Sequence, residues 1–408
     1  MQYKVQPEDF IVDEQTRLSF VPQGRFAIYC VRKSGVTTLS VQAQMARALN
    51  VPQSDVVFPA LKDKNAIAVQ HAAVRGTGPV WLTGNGYRAD LLGYSPRPLT
   101  PADIVANRFT LVLRDLSDGE AAHIQERLNQ IAEFGLPNYF DQQRFGSLAP
   151  GQEHIGKYIL RRDTEGALRA YLSHLFVGDP RPVRKFKTFA AAHWGDWNAL
   201  FDAAPRPSNF RSVLTYLRDH PHPTETESRK ALNLITRRLL SIYLAAYQSL
   251  LWNRIAARYL VARLGDLPSR LEIAGEHLPS RLEIAGERLP SYLEIAGERL
   301  PLYHELPARF DMSIPLPNHR AAYADPDLAA IVMDVLVEEG LVLNDLKARI
   351  LKKAYLSKSK RALLFFPQDA SASPPEPDDH FSGRSKLTLA FTLPRGCYAT
   401  LVVKAAVV

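Results

Sequence analysis

Two textures alternate along this chain, and their order restricts what it can fold into. Apolar residues alternate at both ends, as in Phe10 and Val12 or Phe26, Ile28 and Cys30, whereas the middle reads at helical spacing. Strands are expected at 55–61, 67–75, 80–82 and 109–114, and again at 363–366, 386–393 and 398–404. A helix is expected over 37–49, with Thr38 or Ser40 as its cap. Another is expected over 120–134, closed by Gly135 and Pro137. Helical spacing then dominates 158–176, 224–264 and 329–358. Strand-rich ends around a helix-rich middle imply an α+β domain built from both termini and interrupted by a mostly helical insert. The expected division is 1–134 with 365–408, against 135–364. At 408 residues the chain is too long for one simple core. The Pro-, Asp- and Ser-rich segment 367–380 reads as an exposed, mobile loop.

An eleven-residue unit repeats inside the insert, over 267–299. Leu267-Pro-Ser-Arg-Leu-Glu-Ile-Ala-Gly-Glu-His277 returns nearly unchanged at 278–288 and 289–299. Pro and Gly in every copy forbid a continuous helix, so short strand-and-turn units are expected. The near-identity of the copies points to recent duplication and to a tolerated surface insertion without catalytic role. A dedicated partner site is the alternative.

Net charge is +8, which favours a polyanionic partner. Its distribution says more. Lys347, Arg349, Lys352, Lys353, Lys358, Lys360 and Arg361 fall within 347–361 with no acid among them. A plain surface helix would mix signs. Smaller clusters are Arg181, Arg184, Lys185 and Lys187, and Arg237 with Arg238. No apolar run approaches the roughly 18 residues that span a bilayer, and the N-terminus has no secretory apolar core. A cytoplasmic protein with no membrane partner is expected. Cys30 and Cys397 are the only cysteines, too few for a zinc cluster. Cys30 reads as a small apolar filler.

Gly151-Gln-Glu-His-Ile-Gly-Lys157-Tyr158 approaches a phosphate-binding loop, but Tyr158 replaces the hydroxyl residue that must reach magnesium. No nucleotide cofactor is therefore expected, and no histidine spacing suggests a metal. One acidic residue is framed unlike the others. Asp63 lies between Lys62 and Lys64 in Phe58-Pro-Ala-Leu-Lys-Asp-Lys-Asn-Ala-Ile-Ala68, where an apolar strand emerges. Such a group is ordinarily a surface turn. Nearby cations would hold this carboxylate ionised. An ionised carboxylate can attack a sugar carbon or act as a general base.

Three stretches carry a family resemblance. They are Phe58 to Ala68, Gly135-Leu-Pro-Asn-Tyr-Phe-Asp-Gln-Gln-Arg-Phe-Gly146, and Phe391-Thr-Leu-Pro-Arg-Gly-Cys-Tyr-Ala-Thr400. Together they resemble the TruD family of pseudouridine synthases. Lys4-Val-Gln-Pro-Glu-Asp-Phe10, followed by Val12 and Glu14, is similar to that family's opening motif. The resemblance gives Asp63 the catalytic role and sets Lys4 beside it. It implies that Phe10, Asn107, Phe109 and Tyr398 hold the target base, and Arg144 is a further candidate for the RNA. Ala246-Tyr-Gln-Ser249 with Trp252-Asn253 resembles a helix of the family's insertion domain. The implied fold is a pseudouridine synthase core with a mixed, mainly antiparallel sheet, interrupted by a helix-rich TruD-type insertion domain. RNA would lie in a basic cleft between the two, with 347–361 on its phosphates. The implied substrate is tRNA at uridine 13, and no cofactor is required. Departures from the family pattern stand at Ala60, Ala68, Ala106 and Asp141, around the site rather than in it.

Three other readings compete. One is a non-catalytic RNA-binding protein on the same scaffold. Another is a TruD-like enzyme with a different RNA target. The last is an interaction protein built around the repeat.

Overall fold

A computed structural model describes residues 1–146, 151–264, 283–284, 287–288, 291–303 and 312–408. The chain divides into two compact units, Met1–Leu136 with Phe365–Val408, and Pro137–Leu364. No helix among the described residues is long and apolar enough to cross a membrane.

The first unit is built on an 11-stranded sheet. Its principal strands are β1 (Phe10–Thr16), β2 (Phe26–Lys33), β3 (Ile67–Arg75), β4 (Trp81–Gly84), β5 (Tyr87–Ser95), β6 (Ile104–Leu116), β7 (Gln368–Ala372) and β8 (Ser385–Pro394). They lie in the order β7-β8-β6-β1-β3-β2-β5-β4. Only β1 and β3 run parallel; the other neighbours are antiparallel. The sheet is thus mixed and mainly antiparallel, in an α+β fold.

Alternation along β2 decides which face is covered. Ala27, Tyr29 and Val31 pack with Val41 and Met45 of helix α1 (Thr38–Ala48), all nearly or fully buried. Thr37, not Thr38 or Ser40, caps this helix by accepting the Ser40 N–H at 3.1 Å. Helix α2 (Asp118–Phe134) begins at a reciprocal capping box between Ser117 and Glu120. It ends at Gly135, whose φ is 81°. A Cβ there would also lie 2.7 Å from the Phe366 ring, so glycine is needed twice over.

Four expectations need correction. The strand expected at 398–404 is instead part of a helix, α3 (Ala399–Val407), packed against α2. Its β-branched run favours a strand on propensity alone. The segment is buried along nearly its whole length, and a helix satisfies its own backbone polar groups there. The strand expected at 55–61 shrinks to Val56–Val57, because Pro59 offers no N–H to extend a ladder. The loop expected at 367–380 contains β7 and the short strand Glu376–Pro377, both paired with β8. The helix expected over 329–358 ends at Glu338, and Gly340 comes soon after with φ 63°.

The second unit is organised on the long helix Arg237–Leu264. Asn253 closes a two-bond clamp on the backbone of Phe140, at 2.8 and 2.9 Å. Gln248 bonds the carbonyls of Pro317 and Ser357, and Trp252 reaches the Ile314 carbonyl. Of the repeat, 267–282 and the joints at 285–286 and 289–290 lie outside the described residues. The third copy and the residues just after it form a hairpin of Ser291–Ile295 with Glu298–Leu302. Ala296 and Gly297 turn it with φ of 53° and 82°, the left-handed pair that tight hairpins favour. This copy is not a surface addition: its Leu293 and Ile295 are buried, as are Leu300 and Leu302 just after it, and Glu298 pairs with Arg254 at 2.7 Å.

Arg114 of β6 ties the first unit's ends together. Its guanidinium grips Asp9 through bonds of 2.9–3.0 Å and reaches Asp378 at 3.0 Å, all three side chains being nearly inaccessible. Removing one partner strands buried charge. Arg114→Met is therefore expected to lower the unfolding free energy by about 3–5 kcal/mol in urea titrations followed by circular dichroism. A change under about 1 kcal/mol would contradict this account.

Candidate active site

The loop 58–66 carries Asp63 between Val56–Val57 and β3. Three contacts fix it. Thr38 Oγ1 at the start of α1 accepts the Lys62 N–H at 3.0 Å. Lys33, buried at the end of β2, donates to the backbone carbonyls of Asp63 and Val36. Asp63 Oδ1 accepts the Asn65 N–H at 3.1 Å, an Asx-type turn.

The other carboxylate oxygen, Oδ2, lies 2.9 Å from Lys4 Nζ. Lys4 reaches it from an unusual backbone conformation, with φ of 62°. That geometry costs a non-glycine residue roughly 1–2 kcal/mol. The next turn of the chain holds Lys4 in place. Asp9 Oδ2 accepts the N–H groups of both Val5 and Gln6 at 3.1 Å, and Asp9 is itself held by Arg114.

Partial burial pushes the Asp63 carboxyl up, but its hydrogen bond and ion pair with Lys4, the Asn65 N–H and the nearby Lys33 charge outweigh it. The net effect holds Asp63 below the usual carboxylate range. The flanking lysines, which the sequence alone suggests as its partners, do not play this part. Lys64 is exposed, and Lys62 turns to Glu14, with Nζ 3.1 Å from Oε2. Burial pushes Glu14 up; hydrogen bonding by His71 and the Lys62 charge bring it below its ordinary value.

Aromatic residues complete the arrangement. The Lys4 ammonium sits 3.9 Å from the Phe10 ring centroid. Phe10 meets Phe109 edge to face at 6.0 Å, and Phe109 meets Phe391 at 5.9 Å. Register explains the grouping: Val12 pairs with Phe109 and Glu14 with Asn107, so these side chains share one face of β1 and β6. Lys62 donates to Asn107 Oδ1, bringing Asn107 into the same group.

Asp63, Lys4, Phe10 and Phe109 are therefore linked by direct contacts, and Asn107 joins them through Lys62. Tyr398 stands half-buried at the N-terminus of α3, shortly after Pro394 of β8 pairs with Ala106. Arg144 belongs to the second unit, where Ser249 Oγ accepts its Nε–H at 3.0 Å and Phe140 lies under its guanidinium. Sequence reasoning does not single out Glu14, Lys33 or Lys62 as site residues. A signal for Lys33 exists: it continues the inward-facing series Ala27, Tyr29, Val31 of β2.

The comparisons with known proteins bear on this assembly. A family model described as tRNA pseudouridine synthase D (TruD) matches residues 1–406. A Methanocaldococcus jannaschii protein, "Probable tRNA pseudouridine synthase D 2", is 27% identical over 407 residues, covering 100% of this chain and 91% of its own. The "tRNA pseudouridine synthase D" of Aquifex aeolicus is 26% identical, covering 98% and 96%. A crystal structure of a Methanosarcina mazei chain described as TruD superposes with a TM-score of 0.73 at 22% identity, covering 100% and 93%. The class is thus that of the pseudouridine synthases, RNA-modifying isomerases. Within it, the chain belongs to the tRNA pseudouridine synthase D (TruD) family.

Lys4→Met removes the strongest contact that keeps the Asp63 pKa low. The Asp63 carboxyl is expected to titrate at higher pH in this variant than in the unaltered protein, as read by carbon-detected NMR of labelled aspartate. An unchanged midpoint would show that Lys4 does not control the ionisation.

Proposed function

We propose that this chain converts uridine 13 of tRNA to pseudouridine, with Asp63 as the essential group. The observation that carries the reading is the Lys4–Asp63 pair at 2.9 Å beside the Phe10–Phe109 contact, in a chain of the TruD family. An enzyme acting on a base must take that base out of the stack and cover its faces. Phe10 and Phe109, with Tyr398, supply the aromatic surface, and Asn107 an amide for the base edge.

The reaction is an isomerisation. The bond from C1′ to N1 breaks, the uracil turns, and C1′ is joined to C5. The C5 proton is then lost and N1 is protonated, so atoms and charge balance. Asp63 acts on the sugar, either as nucleophile at C1′ or as base on a sugar proton. Both roles need the ionised form that Lys4 favours. No cofactor enters this scheme.

Lys347, Arg349, Lys352, Lys358 and Lys360 are exposed, and no carboxylate among the described residues pairs with them. They are candidates for phosphate contacts, which position RNA without reading it. Arg361 is not. Its guanidinium bonds Asn138 and the Tyr139 carbonyl and lies 4.0 Å from the Phe140 ring centroid. Lys187, from the smaller basic cluster, is likewise consumed by Asp179 at 2.7 Å.

Pseudouridine mapping at single-nucleotide resolution on bulk tRNA tests the reading. The unaltered protein is expected to modify position 13. Asp63→Asn is expected to bind the same tRNA and to lose at least about 10²-fold in rate. Conversion by Asp63→Asn at the full rate would reject the aspartate. Modification elsewhere would reject the target, and binding without modification by either protein would favour a non-catalytic RNA-binding role.

A further inference from the structure

We propose that Lys62, anchored by Glu14, is a positioning residue that fixes the Asn107 carboxamide so that Asn107 presents only hydrogen-bond donors to the target base. The proposal rests on the pseudouridine synthase reading, since it takes the base to lie against Phe109.

A lysine ammonium has three N–H donors and no acceptor. The Asn107 atom it contacts must therefore be the carbonyl Oδ1. Amide oxygen and nitrogen are ordinarily interchangeable, but a neighbour that can only donate removes the ambiguity. The remaining atom, Nδ2, carries two hydrogens and makes no hydrogen bond among the described residues.

Lys62 is not free to release this grip. Its backbone is tied to Thr38, and its Nζ lies 3.1 Å from Glu14 Oε2. Lys62 is 9% exposed and Glu14 is inaccessible, so neither has water as a ready substitute partner. Glu14 Oε1 in turn accepts the His71 N–H at 3.1 Å, and the His71 ring nitrogen lies 3.4 Å from it. Glu14 also stands opposite Asn107 in the β1–β6 ladder. A continuous chain thus runs from His71 through Glu14 and Lys62 to the Asn107 oxygen.

The donor end of that chain lies in the site. Asn107 precedes Phe109 by two residues on one face of β6, and Phe109 touches Phe10, over which Lys4 sits. Lys4 pairs with Asp63, the residue after Lys62. A base stacked there meets a pair of N–H donors from Asn107 and no amide acceptor. Uracil answers with a ring carbonyl oxygen, O2 or O4. The 4-amino group of cytosine is a donor, and a donor facing a donor is left unpaired.

The test is a single-turnover comparison on three RNAs carrying uridine, 2-thiouridine or 4-thiouridine at the target position. Sulfur accepts hydrogen bonds weakly, so one thio-RNA should react about tenfold more slowly with the unaltered enzyme. Asn107→Asp keeps an acceptor for Lys62 but has no N–H to donate. It is expected to react slowly with all three RNAs and to lose the discrimination. Lys62→Met frees the amide to turn and should also lower the discrimination, not the uridine rate alone. Equal slowing of all three RNAs by Lys62→Met, with discrimination retained, would overturn the proposal and leave Lys62 a loop anchor. So would equal rates on all three RNAs by the unaltered enzyme, or retained discrimination by Asn107→Asp, which stays informative if Lys62→Met does not fold. Failure of the unaltered enzyme to convert the uridine RNA would instead reject the reaction assigned to the site, and this proposal with it.

Discussion

The lysine side of the candidate site hangs from a buried arginine that never touches it. Arg114 carries one positive charge into the sheet and is answered by Asp9 and Asp378, with the exposed Asp379 closing the network at 2.7 Å. Buried ions of this kind are poor sources of net stability, but each charge needs its partner in place, which constrains the geometry around it. Here the geometry is passed along. Asp9, fixed by Arg114, fixes the N–H groups of Val5 and Gln6, and the chain before them turns into the left-handed region at Lys4. A strained residue at a functional position persists only where its surroundings overdetermine it. Lys4 meets that condition.

The parts of this assembly legible in the sequence are those whose chemistry is local. Asp63 stands out by its neighbours, Lys4 and Phe10 by a short motif, and Asn107 and Phe109 only by the family resemblance. The partners of those residues are harder to see. Lys62 and Lys64 flank Asp63 in the chain, yet the cation that pairs with it comes from 59 positions away. Adjacency in sequence does not imply facing side chains, and loop 58–66 turns Lys62 towards Glu14 instead. Arg361 looks like a ligand for phosphate because charge is visible in a sequence and its partners are not. Its guanidinium is spent on Asn138, Tyr139 and the Phe140 ring within the second unit.

The fold is legible to the same degree and for a related reason. Strand and helix periodicity locates most elements of the first unit, including Ile67–Arg75 to the residue. Propensity fails where burial opposes it. Thr400, Leu401, Val402 and Val403 would suit a strand, but no sheet edge is paired by them, and a helix needs no partner for its backbone. The repeat misleads in another way. Its near-identity suggests an addition that the fold could ignore, whereas the third copy buries Leu293 and Ile295 in its unit.

The first unit draws its strands from both ends of the chain, and this order matters while the protein is being made. Chains emerge N-terminus first. Arg114 and Asp9 are therefore present long before Asp378, which lies 264 positions beyond Arg114. The β8 strand, which flanks β6, arrives later still. Until then the sheet has an open edge at β6, and the arginine network that sets Lys4 is short of one acid. A chain halted anywhere in the second unit thus holds its aspartate and its lysine in a frame that lacks one acid and one flanking strand. Synthesis of β8 is in effect the last step in assembling that frame.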